Sequence, residues 1–224
     1  MNEQITMPRL FHLIAKEVGG VRDQSLQRYG RLWDAYITIG DLLSLLISQG
    51  AEDPISVSES ASQRISLTVN LLQSTTVVEQ TISSGFYWAA SALLRQHMEA
   101  LARIMHIRDG KSAIDPRPPK VQVLPFNLAS NYGRLSELAH VSSGELLSDF
   151  ALSSSGEEIA TYAPTYREQW SRNFLHIHIA HMIVLSIEIN LMHQELYPMR
   201  ALIDPNDRLQ EVVSIFIEEG FWKN

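Results

Sequence analysis

SGFYWAASALLRQHMEALARIMHI (residues 84–107) and NYGRLSELAHVSS (residues 131–143) decide how this chain reads. In the first stretch Arg95, Glu99 and His106 recur at steps of four and seven, which places them on one face of an otherwise apolar helix. In the second, Tyr132, Ser136 and His140 recur at steps of four and share a face in the same way. Two helices of this kind can build a hydrogen-bonded cluster between them. Such a cluster costs free energy unless every member finds a partner. It is therefore either a packing lock or a functional site.

Working outward, helix signals dominate and strand signals are scarce. Residues 22–49 carry Leu32, Tyr36, Ile39, Leu43 and Leu46 at helical spacing, with Gly30 and Gly40 as weak points. Gly19-Gly20 reads as a turn ahead of that helix. Residues 56–82 form a second helix, and Ser83 or Ser84 caps a third that ends at Asp109-Gly110. DPRPPKVQVLP (residues 115–125) holds four prolines in eleven residues, so it is a loop. A fourth helix follows over residues 127–140 and a short one over 143–152. A long helix covers 165–196, and a last one is capped by Asp204-Pro205 and ends at Gly220. The expected fold is an all-α bundle of six to eight helices in one domain.

Composition excludes several classes of function. The chain has 224 residues, 45% hydrophobic and 19% charged, with a net charge of −7, so it is globular and lacks a generally basic nucleic-acid surface. With no cysteine, disulfides, thiolate zinc sites and cysteine nucleophiles are ruled out. The first residues have no basic leader followed by an apolar core, which argues against a signal peptide. The run HIAHMIVLSIEINLMH (residues 178–193) is read as too short and too polar to span a bilayer, so a cytoplasmic protein without a membrane partner is expected. Charge is unevenly spread. Residues 95–134 hold seven Lys/Arg against three Asp/Glu, whereas residues 135–224 hold five against thirteen. An acidic protein with one cationic stretch leaves two readings there, a site for a small anionic ligand or a solvated helix end with a charged loop.

The Arg95, Glu99, Tyr132, Ser136, His140 set is the leading site. Glu99 could orient His140 and raise its basicity, with Arg95 as a fixed cation for phosphate or carboxylate. SRNFLHIHIAH (residues 171–181) is the second constellation: Arg172 and His176 share one face, and His178 and His181 another. A metal would need a third ligand from elsewhere. The Glu-x-x-His pairs of ferritin-like centres occur only once, at Glu137 and His140, so no metal or other cofactor is expected.

A helix reading Leu93-Leu94-Arg95 with Glu99-Ala100, a proline-bearing loop, then Tyr132, Leu135-Ser136-Glu137, His140 and Ser142 resembles a group of uncharacterised bacterial helical proteins. These in turn resemble the HEPN superfamily, which includes RNA-cleaving toxins and abortive-infection proteins. The signature of that superfamily is an Arg, about four to six residues, and a His, often with a polar residue after the Arg. Two stretches match it: Arg134 to His140, and Arg172-Asn173 to His178. The resemblance implies a homodimer and metal-independent cleavage of RNA. His140 or His178 would be the acid/base and Arg134 or Arg172 the phosphate clamp; DNA is not implied. The competing expectations are a non-catalytic module for a small anionic ligand, a nucleotide or a partner protein, and a cluster that only locks the packing.

Overall fold

Glu168–Leu196 is the axis of the bundle because it is apolar on nearly every side, and a helix of that kind is stable only when surrounded. In the computed structural model, which describes residues 9–50, 56–111, 117–140 and 163–222, six further helices gather around it. We label them in chain order: α1 (Arg9–Tyr29), α2 (Arg31–Gly50), α3 (Glu59–Ser83), α4 (Tyr87–Arg108), α5 (Tyr132–Ala139), α6 (Glu168–Leu196) and α7 (Asn206–Glu218). Helices α2, α3 and α4 pack directly on α6, while α5 rides on α4 and α7 on α2. Their buried side chains form one contiguous apolar core. No strand occurs among the described residues, so the expected all-α bundle is the observed architecture. The helix expected over 143–152 lies outside the described residues.

Helix α6 also passes the length and composition test for crossing a membrane, and 78% of its apolar window is buried inside the bundle. The sequence reading of residues 178–193 as too short and too polar is corrected here. The helix has 29 residues, and its polar members His178, His181, Ser186 and Glu188 all turn into the core.

Other boundaries moved for local reasons. Gly19 and Gly20 do not form a turn; α1 runs straight through them. The face that buries Val21, Ser25 and Tyr29 holds the helix together. That packing outweighs the roughly 1 kcal/mol that each glycine costs relative to alanine. Gly30 does break the chain, with φ of +52° between α1 and α2. Neither Ser83 nor Ser84 caps α4. Ser84 closes α3, donating its backbone N–H to Gln80 and Ile82, and α4 starts after Phe86 with no side-chain cap. Ser83 is instead tied to α1: the Ser25 hydroxyl donates to its carbonyl at 2.8 Å and Arg22 donates to its hydroxyl. Pro205 rather than Asp204 stands at the cap position of the last helix, and Asp204 one residue earlier accepts from the Asn206 N–H at 3.0 Å.

Gly85 joins α3 to α4 with φ of +80°, and a Cβ there would lie 3.0 Å from Val21 Cγ1 and 3.1 Å from the Thr165 carbonyl oxygen. Both the conformation and the space demand glycine. Gly85→Ala is expected to lower stability by about 2–4 kcal/mol, from left-handed backbone strain plus overpacking. Urea unfolding should show the midpoint fall with the slope unchanged. A shift within error of the parent would refute this account of the α3–α4 junction.

Candidate functional site

The two polar stripes do meet. Helix α5 lies along α4, so that the Tyr132 hydroxyl donates to Glu99 Oε1 at 2.6 Å. Arg95 Nε donates to the same oxygen at 2.9 Å, one turn away on α4. Another nitrogen of the guanidinium, Nη1, donates to His140 Nε2, and its carbon sits 5.8 Å from the centre of the Tyr132 ring. Because a guanidinium can only donate, His140 accepts at Nε2 and carries its proton on Nδ1 when neutral.

This geometry corrects one expected contact. Glu99 does not orient His140; Arg95 stands between them. His140 is the residue that closes α5, with its N–H donated to the Ser136 carbonyl at 3.0 Å. Ser136 is half-buried and contributes that backbone oxygen to the arrangement. Burial first, then the hydrogen bond with Glu99, raises the Tyr132 phenol. Burial works against the Arg95 cation, but the bonds to Glu99 and Tyr132 outweigh it and hold the guanidinium above its ordinary value. The set is open to solvent at His140, and Arg95 and Glu99 are about three-quarters covered. Arg95 is internally neutralised, so it makes a poor anchor for an added anion.

The remaining candidates are not gathered into a site. Arg134 lies over the Trp170 ring at 4.2 Å, packed against α6 rather than beside His140. Six residues along a helix turn the chain by about 600°, which leaves partners about 120° apart. The same offset separates Arg172 from His178. Arg172 ties the end of α1 to the end of α7, donating to the carbonyls of Arg28 at 2.7 Å and Tyr29 at 3.3 Å and pairing with Glu219. Asn173 is half-buried beside it in sequence. His178 is fully buried in the centre of the bundle.

His178 belongs to a cluster whose third member the sequence reading passed over. His97 of α4 has its ring centre 6.0 Å from His178 and 6.2 Å from His181, and its Nε2 is 2.8 Å from the Ser74 hydroxyl. Neither ring nitrogen of His178 or His181 has a protein partner. Burial pushes His97 down to about 4. Burial and then His97 push His178 down to about 3, with the Thr75 backbone acting the other way from beyond hydrogen-bond geometry. His181 falls well below its ordinary value for the same reasons. His176 stands apart, stacked on Phe221 at 4.2 Å and lowered to about 4 by burial. Among the described residues, no three His, Asp or Glu side chains converge as metal ligands. His97 had a signal of its own, since Leu94, Met98 and Leu101 surround it on the core face of α4.

A cluster of cations lies two turns further along α4. Arg103, His106, Lys111, Arg117, Pro118, Pro119 and Lys120 line a pocket of about 310 Å³ where α4 ends and the proline loop returns. Arg103 Nη2 holds that loop by donating to the Arg117 carbonyl at 2.6 Å. Among the described residues, Lys111 and Lys120 pair with no carboxylate and no carboxylate lines the pocket. His106, read from periodicity as a member of the Arg95 stripe, belongs here instead. No family model, curated protein or solved structure matches the chain.

Proposed function

We propose that this protein is a non-catalytic binding module for a small anionic ligand. The observation that carries this reading is the pocket between the end of α4 and the proline loop, where, among the described residues, four cations and no carboxylate line about 310 Å³. In a chain of net charge −7, such a concentration of positive charge is electrostatically costly unless an anion shares it. Arg95, expected as the clamp, is already neutralised by Glu99; Arg103, Lys111 and Lys120 take that role.

Pyrophosphate and ADP should raise the melting temperature of the parent protein by mass action, and added salt should weaken the effect. Lys111→Ser with Lys120→Ser, both exposed and without a carboxylate partner among the described residues, should abolish the rise without lowering the melting temperature of the free protein. No stabilisation of the parent by either anion would end the reading.

The contact of Arg95 with His140 supports a second reading, a HEPN-like metal-independent RNase, because it joins a cation and an imidazole on an open surface. In that case the parent cleaves RNA, His140→Ala does not, and the lysine variant still does.

A further inference from the structure

We infer that the ligand of this pocket is a phosphate monoester in its dianionic form, and that His106 takes up a proton from solvent as it binds. The inference rests on the anion-binding reading above and adds the chemical class to it.

His106 is 6% exposed, and its Nε2 is shut off from solvent without a protein partner. A neutral imidazole can be buried in this way, but one polar nitrogen is then left unsatisfied beside a cationic pocket that the ring helps to line. The groups around it are mostly positive. Arg103 comes from α4, Lys111 from the turn beyond it, and Arg117 and Lys120 from the proline loop. Among the described residues Asp109 is the nearby acid, and its carboxylate is engaged by Arg108 at 3.3 Å. From the helices packed on α4, Arg134 of α5 is turned onto Trp170, and Glu188 of α6 is held by Arg108. Burial and the three flanking cations Lys111, Arg103 and Lys120 keep the ring neutral, against a smaller pull from Asp109.

An anion in the pocket inverts that balance. A monoanion, such as a carboxylate or a phosphodiester, offsets one of the cations and leaves the ring facing the others. A phosphate monoester places two negative charges and three acceptor oxygens on one small group, enough to meet the lysines and Arg103 together and to face the His106 ring. The charge near the ring then becomes negative and protonation becomes favourable, because an adjacent opposite charge stabilises the charged form. The proton goes to the ring nitrogen that carries none in the neutral form, and the imidazolium then faces the bound dianion. The remaining volume, walled by Pro118 and Pro119, suits a small organic substituent on the phosphate.

Isothermal titration of the full chain with glycerol 2-phosphate, dimethyl phosphate and acetate at about pH 7.5, in two buffers of different ionisation heat, tests this. Glycerol 2-phosphate should bind at least about tenfold more tightly than the two monoanions. Its heat should report close to one proton taken up, and that uptake should vanish in His106→Gln while binding persists more weakly. Equal affinity for dimethyl phosphate, or binding without proton uptake in the parent, overturns this inference and leaves the anion-binding reading standing. Failure of all three probes overturns both.

Discussion

Acidification from pH 7 to pH 5 is expected to remove most of the stability of this protein. The cause is the set of core histidines His97, His176, His178 and His181, held neutral by burial at about 4, about 4, about 3 and well below the ordinary value. In the unfolded chain each returns to about 6.5 and binds a proton below it. A folded-state value depressed below the unfolded one gives stability that is complete above pH 6.5 and is lost as pH falls toward the folded value. At pH 5 the loss is roughly 2 kcal/mol per histidine, since each pH unit is worth about 1.4 kcal/mol per proton. Four together approach 6–8 kcal/mol, comparable with the whole stability of an ordinary domain at about 5–15 kcal/mol.

The three rings of the His97 cluster reinforce one another, because protonating His97 places a cation about 6 Å from each of the other two, and protonating either of those places one about 6 Å from His97. Urea unfolding at pH 7, 6 and 5 should show stability falling steeply with acid. His178→Phe should flatten that slope by one proton, about 1.4 kcal/mol per pH unit in the window between 6.5 and the folded value. An acid slope identical in the parent and His178→Phe would show that the histidines do not govern it.

Arg108→Met is expected to cost about 3–5 kcal/mol, the usual penalty for leaving a buried charge without its partner. Glu188 on α6 is 3% exposed, and Arg108 on α4 donates to its Oε1 while Oε2 has no partner. Burial raises the Glu188 carboxyl, and Arg108 and then Arg64 oppose that rise. Arg64 is 2% exposed and pairs with Glu195, so it cannot swing over to replace Arg108. The double change Arg108→Met with Glu188→Leu should recover most of the loss, because an apolar pair of similar volume needs no desolvation of charge. Thermal melts of the single and double variants decide the matter. A double variant no more stable than the single one would mean that Arg108 acts through packing of its stem rather than through Glu188.

The residues of the Arg95 cluster were legible in the sequence because periodicity alone aligns Arg95 with Glu99 and Tyr132 with His140. Which of them touch was not legible. The axial offset between α4 and α5 places Tyr132 on Glu99 and His140 on the far side of Arg95. The fates of Arg134 and Arg172 were hidden for a related reason. A motif of Arg and His records spacing along the chain, whereas Trp170 and the end of α1 reach those guanidinium groups from distant positions.

Local chemistry by itself determined the all-helical class, the stop at Asp109-Gly110, the proline loop and the cationic stretch that contains the pocket residues, whereas Gly30 and Gly40 looked alike and only Gly30 divides the expected helix. Each of these follows from backbone geometry or from charge within a few residues. Only the tertiary structure decided that α6 is the axis of a bundle, that His97 completes a buried trio with His178 and His181, and that Arg103 and His106 face Lys120 across a pocket. Those outcomes depend on which helix faces pack together, and burial and the balance of charge come from neighbours far apart in the chain.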